Sequence, residues 1–191
     1  MGLRPHLLGE ITMAVTGPWV GSSAKAETGE SWMAQAGAKL RLGTPFWMSN
    51  MIGRSVFNFS LTVQYRNWNN IYYRGSWQVG GWNWSPKPTT QNTVQGNFEG
   101  KEVTLFVSVS GQGGVNYWNG DPQGTTLGIR NGDAINLRVM MSDGTTFDFN
   151  PGKMDGDVRN YQIVSNDEAN KLKDWFSNRT DQYWEGLITR R

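Results

Sequence analysis

From Phe57 to Tyr65 the chain alternates without a fault: Phe57, Phe59, Leu61, Val63 and Tyr65 are apolar, with Asn58, Ser60, Thr62 and Gln64 between them. Side chains along a strand point to opposite faces at period two, so this run predicts a half-buried strand. Residues 103–110 repeat the pattern, with Val103, Leu105, Val107 and Val109 on one face and Thr104, Ser108 and Ser110 on the other; Phe106 interrupts the polar side. A meander is predicted next. Leu127 to Arg130, Ile135 to Met141 and Thr145 to Phe149 are separated by Asn131-Gly132 and Asp143-Gly144, dipeptides that reach positive φ at low cost and favour tight hairpins. Trp32 to Leu42 also alternates, through Ala34, Ala36, Ala38 and Leu40. It reads as a strand, its alanines leaving a short helix as the other reading.

One helix stands out. Ser165 and Glu168 are spaced as a capping box, and Ala169, Leu172, Trp175 and Phe176 follow at helical intervals. Asp167 precedes Lys171 by four, a favourable order. After Asn178, Tyr183, Trp184, Leu187 and Ile188 suit either a helix or a last strand. Short strands with frequent turn signals suggest a sandwich or an open barrel; the fold expected is an all-β, antiparallel β-sandwich, jelly-roll in form or close to it, with one C-terminal helix. The expected layout is a single domain: an N-terminal arm over 1–30, the sandwich over 31–164, and the helix and tail over 165–191. No fixed-period repeat is present, which argues against a propeller. Pro86-Lys87-Pro88 through Gly96 reads as a long loop.

Composition supports this picture. Charged residues are 18% of the 191, hydrophobic ones 37%, and there are 24 Gly, a mixture that favours turns and strands over helices. Net charge is +2 with a pI of about 8.9, and no Lys/Arg cluster exceeds the terminal Arg190-Arg191. A nucleic-acid partner is therefore not expected. The absence of Cys excludes disulfides, thiolate zinc sites and a Cys nucleophile. Glu10 interrupts the apolar start, so no signal peptide is recognised, and no run is long enough for a membrane helix. Secreted or extracellular action is nevertheless the expectation. Met1-Gly2 lacks the Ser or Thr at residue 6 that myristoylation wants, where His6 stands.

Catalytic chemistry finds little support. The single His, His6, lies near the terminus, which makes a Ser-His-Asp triad a poor fit. Gly111 to Gly114 lacks the Lys and helix of a phosphate loop. A glycosidase needs only two carboxylates, and the interior candidates are Glu99, Glu102, Asp121, Asp133 and Asp148. Their places at strand entrances and turns fit solvated edge residues better. Asp148, Asp155 and Asp157 fall short of the six to eight oxygens that Ca²⁺ takes. The expectation is a non-enzyme without metal or cofactor.

The signal that remains is aromatic. Of ten Trp, Trp68, Trp77, Trp82 and Trp84 crowd with Tyr72 and Tyr73 into residues 68–84, interleaved with Asn67, Asn69, Asn70, Gln78 and Asn83. A smaller copy is Asn116-Tyr117-Trp118-Asn119-Gly120-Asp121. Trp77 alternates with Gln78 as a strand residue would, and Trp68 reads the same way. Trp82, Trp84 and Trp118 sit among turn formers, where exposed rings mark binding surfaces. The candidate ligand-binding residues are Trp68, Asn69, Tyr72, Tyr73, Trp82, Asn83, Trp84, Tyr117, Trp118, Asn119 and Asp121. Flat rings stack on sugar faces while amides supply donors and acceptors to hydroxyls, so the first reading is lectin-like carbohydrate binding.

A lipid head group is the second partner that fits, since Trp and Tyr sit well at a membrane surface and Arg66, Arg74 and Lys87 would meet phosphates. The two alternating strands also match the pattern of transmembrane barrel strands. With its N-terminal arm, sandwich and Trp/Tyr cluster, the organisation resembles the actinoporin-type cytolysins, although no motif aligns residue by residue. That resemblance implies a membrane-binding, pore-forming toxin. A structural or assembly subunit, packing as a homo-oligomer through its neutral polar strands, is the third reading. Sequons at Asn58, Asn83 and Asn178 discriminate among none of these.

Overall fold

A computed structural model gives the fold and describes residues 14–68, 71–78, 93–111 and 125–191. The chain divides into two compact units, residues 1–57 and 58–191.

The first unit is helical. Helix α1 spans Val20–Thr28 and helix α2 spans Met33–Lys39, followed by a short 3-10 turn at Met48–Met51. Val15, Ala24, Ala36, Leu40 and Met51 form a small core, with Val20, Leu42, Phe46 and Val56 packed against it. The strand expected over Trp32 to Leu42 is thus a helix. Alanine is the best helix former, and Ala36 and Leu40 reach the core from one face at i, i+4 spacing. Glu27 accepts from the Val56 N–H at 2.7 Å. Burial pushes its carboxyl up, against the effect of that bond.

The second unit is an antiparallel sheet of ten strands. These are β1 Phe59–Thr62, β2 Gln64–Trp68, β3 Ile71–Trp77, β4 Val94–Phe98, β5 Lys101–Gly111, β6 Thr125–Arg130, β7 Leu137–Met141, β8 Thr146–Asp155, β9 Val158–Ile163 and β10 Tyr183–Arg190. Neighbours run β5-β4-β1-β10-β7-β8-β9-β6, and β6 pairs back onto β5, closing an eight-stranded barrel. Helix α3, Asn166–Ser177, lies between β9 and β10 in sequence; its Ser165 cap accepts from the Glu168 N–H. Both the cap and the helix match the sequence pattern. The fold is mostly β, but it is a closed barrel and not a sandwich of jelly-roll or actinoporin form. Period-two alternation is common to both architectures. Closure depends on long-range pairing along both edges of β5, which alternation does not encode.

The barrel core holds Phe59, Leu61, Val63, Val103, Phe106, Leu127, Leu137, Phe147, Phe149 and Tyr161 among others, and α3 adds Ala169, Leu172, Trp175 and Phe176 to it. Phe106 is central, meeting Phe59, Phe149 and Phe176 edge-on at 6.0, 6.0 and 5.2 Å between ring centres. The expected faces of β5 are corrected here. A register shift between Val103 and Leu105 reverses the alternation, as a bulge does. Val103 and Phe106 both enter the barrel core, while Leu105, Val107 and Val109 join Tyr73 and Trp77 in a separate cluster. Thr104 and Ser108 are buried too, so neither faces solvent as the pattern led one to expect.

The expected meander is half right. Asp143-Gly144 turns a true hairpin between β7 and β8, with Gly144 at φ 84°. Asn131-Gly132 does not: β6 pairs with β5 and β9, and β7 with β8 and β10. Asn131 still holds a positive φ of 50°, but the chain there passes across the barrel end. Tyr161 secures it by donating its hydroxyl to the Asp133 carbonyl at 2.7 Å.

Strands β2 and β3 form a ribbon that extends the sheet outward from β5. The strand expected over 57–65 ends its barrel pairing at Thr62, and from Gln64 the chain pairs with β3 alone. β3 in turn continues onto β5 from Ile71–Gly111 to Trp77–Leu105. At this seam Gly75 has φ 130°, and a Cβ there would run into the Phe106 carbonyl.

Candidate functional site

The ribbon brings together part of the aromatic middle. Tyr65 faces Arg74 across the two strands, and Asn67 faces Tyr72. The Tyr65 and Tyr72 rings lie nearly parallel at 14°, with centres 6.5 Å apart. The Arg74 guanidinium sits 5.1 Å from the Tyr65 ring centre and 5.8 Å from that of Tyr72, within cation–π reach of both. Tyr65 is 47% exposed and Asn67 is exposed, while Tyr72 and Arg74 are half-buried. The opposite face is packed: Tyr73 and Trp77 lie against Leu105, Val107 and Val109. Tyr73, a candidate contact residue, is only 3% exposed and supports the ribbon from behind. Trp77 is core, as its alternation indicated.

The other candidates are placed less directly. Trp68 closes β2 opposite Ile71. Asn69, Trp82, Asn83, Trp84, Tyr117, Trp118, Asn119 and Asp121 lie outside the described residues. The flanks of their segments are nonetheless fixed. Residues 112–124 leave from Gly111, which pairs with Ile71 beside the ribbon tip, and return at Thr125, which pairs with Ser108. Residues 79–92 begin beyond the other end of β3, where the Thr93 N–H returns to the Trp77 carbonyl at 3.1 Å. The two segments therefore root at opposite ends of β3. Sequence reading did not select Tyr65 or Asn67 for the ligand-binding set. Tyr65 carried the parity of the buried face, and only the departure of β2 from the barrel uncovers it.

Four of the five carboxylates considered for catalysis are held by cations; Asp121 lies outside the described residues. Glu99 receives both arms of Arg190 at 2.6 Å. Arg130 bridges Glu102 at 3.0 Å and also contacts Asp157. Lys101 pairs with Asp133 at 2.6 Å and Arg138 grips Asp148 with two bonds of 2.7 and 2.9 Å. The Lys101 bond lowers the Asp133 pKa, and the Arg138 bond does the same to Asp148. A general acid needs a raised pKa, the reverse of what these two have. Two of the three acids weighed for Ca²⁺ are likewise engaged, Asp148 by Arg138 and Arg191 and Asp157 by Arg130. No group of three or more metal-ligating side chains occurs among the described residues, and no helix there is long and apolar enough to cross a membrane.

The helical unit exposes large apolar side chains: Trp19, Trp32 and Trp47 at 79, 75 and 81%, with Met33, Met48 and Ile52. Its core is too small to bury them, and so many exposed rings are unusual in a monomeric surface.

Comparison with known proteins bears on this unit. Residues 13–52 match the family described as the phage tail fibre adhesin Gp38 N-terminal domain. The chain is 59% identical over 44 residues to the receptor-recognizing protein gp38 of Salmonella phage S16. That match covers 22% of this chain and 18% of the relative, so the chain spans under a fifth of the relative's length. No solved structure matches the chain.

Proposed function

We propose that the chain is a non-enzymatic, receptor-binding adhesin of a phage tail fibre and that it recognises carbohydrate on the host surface. The observation that carries this is the match of residues 13–52 to the N-terminal domain of such adhesins. Those residues fall within unit 1–57, where Trp19, Trp32 and Trp47 offer the apolar surface a fibre partner would cover. Residues 1–57 are the mount in this reading, and residues 58–191 read the receptor. The pairing of Glu99, Glu102, Asp133 and Asp148 with cations supports binding over hydrolysis.

In this reading the residues that meet the receptor are Trp68, Asn69, Tyr72, Trp82, Asn83, Trp84, Tyr117, Trp118, Asn119 and Asp121, with Tyr73 buried behind Tyr72's strand. Ring faces stack on sugars and the amides bond hydroxyls. The assembly-subunit reading merges with this one, since a fibre adhesin is itself part of an assembly. The cytolysin reading loses its architectural support, because the sandwich is a closed barrel and the polar residues Thr104 and Ser108 of β5 are buried.

A glycan array and a liposome-leakage assay on one preparation test the proposal. Glycan binding without leakage is expected, weakened roughly tenfold or more by Trp82→Ala, Trp84→Ala or Trp118→Ala with melting temperature nearly unchanged. Leakage without glycan binding would overturn it. A loss of ~3–5 kcal/mol of stability in each variant would mark those rings as core and remove them from the site.

A further inference from the structure

We propose that the outer wall of the barrel carries a saccharide trough, formed by Tyr183 and Glu185 on β10, Ser60 and Thr62 on β1 and Gln95 on β4, which takes a neutral sugar with adjacent free hydroxyls. The proposal rests on the carbohydrate reading above and adds a contact surface on other strands and the chemistry of its ligand. Its first support is shape. Phe59, Leu61, Val63, Val94 and Ile188 belong to the barrel core, so the alternate residues of β1, β4 and β10 line the outside. Register sets them in rows: Gln95, Ser60 and Glu185 lie side by side, and Thr62 stands beside Tyr183. The middle strand carries the short side chains. Ser60 and Thr62 are half-buried, while Gln95, Tyr183 and Glu185 on either side are exposed. The result is a shallow trough with a floor of hydroxyls and walls two strand spacings apart, about 10 Å.

The second support is the ring in one wall. Tyr183 is 63% exposed, more than any other aromatic side chain among the described residues of unit 58–191. A lone exposed ring is ordinary on a protein surface; this one stands beside a polar floor and a carboxylate. Its hydroxyl lies 3.5 Å from Glu185 Oε1. A pyranose that lays its apolar C–H face on the ring brings its hydroxyls over Thr62 and Ser60 and against Glu185. All five positions sit on paired strands, which lowers the ordering cost of binding.

Unspent hydrogen-bonding capacity is the third support and decides the ligand class. Glu102 of β5 and Asp148 of β8 are held by arginines. Among the described residues Glu185 makes no ion pair, and Ser60, Thr62 and Gln95 make no side-chain hydrogen bond. The arginines on or beside β10 are engaged elsewhere, Arg138 by Asp148, Arg179 by Asp143 and Arg190 by Glu99. An ionised carboxylate only accepts hydrogen bonds. Glu185 is therefore matched by two adjacent hydroxyls, one donating to each oxygen. Asp181, exposed two residues before Tyr183, has the same sign, so a ligand carboxylate or phosphate meets repulsion here.

The test is amide-shift mapping by NMR on the full-length chain, titrated with galactose, glucose and mannose and, in parallel, with glucuronic acid, the carboxylated counterpart of glucose. At least one neutral sugar is expected to shift amides at 60–62, 94–96 and 183–185, and glucose to bind more tightly than glucuronic acid by roughly tenfold or more. Tyr183→Ala should weaken the neutral sugar roughly tenfold or more. Glu185→Gln should remove the discrimination against glucuronic acid, and Ser60→Gln, which raises the floor, should block the trough. Melting temperatures report whether a variant harms the fold. Shifts confined to other parts of the chain, an unperturbed trough, an equal response to glucuronic acid, or affinity unchanged in the three folded variants overturns the trough and leaves the carbohydrate reading to the glycan array. Silence here together with silence on that array overturns both.

Discussion

Tyr161 shows how one side chain serves both packing and polarity. Its ring is fully buried in the barrel core, and its hydroxyl holds the crossing between β6 and β7 through the Asp133 carbonyl. Burial pushes its pKa from 10.0 up to about 12. The folded state thus keeps its proton after the unfolded chain has lost it. The corresponding stability is fully present below pH 10 and declines as pH rises toward 12. Denaturant titrations across that range should show Tyr161→Phe with a shallower alkaline decline, and at neutral pH a loss of about 1–2 kcal/mol for the unpaired carbonyl. Asp143 gives the opposite slope. Burial raises its pKa, but bonds from the Thr145 N–H and the Trp175 indole, with the Arg179 charge, outweigh burial and leave it lowered. Its contribution is present above the ordinary value of 3.8 and fades as pH falls below it; Asp143→Ala should flatten the acid limb of the stability profile. Gly75→Ala should cost more than 1 kcal/mol and loosen the ribbon, since φ 130° and the Phe106 carbonyl both oppose a Cβ. Hydrogen exchange would show faster exchange in β2 and β3. At this scale the sequence was a mixed guide. Trp77 was legible as core, whereas Phe106 looked like an intruder on a polar face because a bulge is invisible to alternation. Tyr65 looked buried because parity does not report where a strand leaves the barrel.

Among the elements, α3 was the most legible because its signals are local. Cap, apolar stripe and length agree, and Ser165→Ala is expected to lower stability by ~1 kcal/mol in thermal or denaturant unfolding. Helix α2 was misread because Ala34, Ala36 and Ala38 satisfy period two by spacing while preferring helix by propensity. The two turn dipeptides divide the same way. Asp143-Gly144 joins strands that pair with each other, whereas Asn131-Gly132 joins strands that each pair elsewhere. Turn chemistry specifies a change of direction, and the pairing partner comes from the distant chain.

For the whole molecule, the mostly β character and the C-terminal helix followed from periodicity, but closure did not, because it depends on β5 meeting β4 and β6 together. The aromatic middle split similarly. Its strand residues take their places in and on the ribbon, and the residues in 79–92 and 112–124 are anchored at opposite ends of β3. The match to fibre adhesins lies within unit 1–57, and the surface proposed for the receptor lies in unit 58–191. As proposed, the whole chain binds a bacterial surface through its glycans. Binding of the fluorescently labelled chain to a panel of bacteria that includes Salmonella, after periodate or protease treatment of the cells, tests it most directly. Saturable binding to at least one strain, lost after periodate and retained after protease, is expected. Binding that survives periodate and disappears with protease, or no binding to any strain, would contradict it.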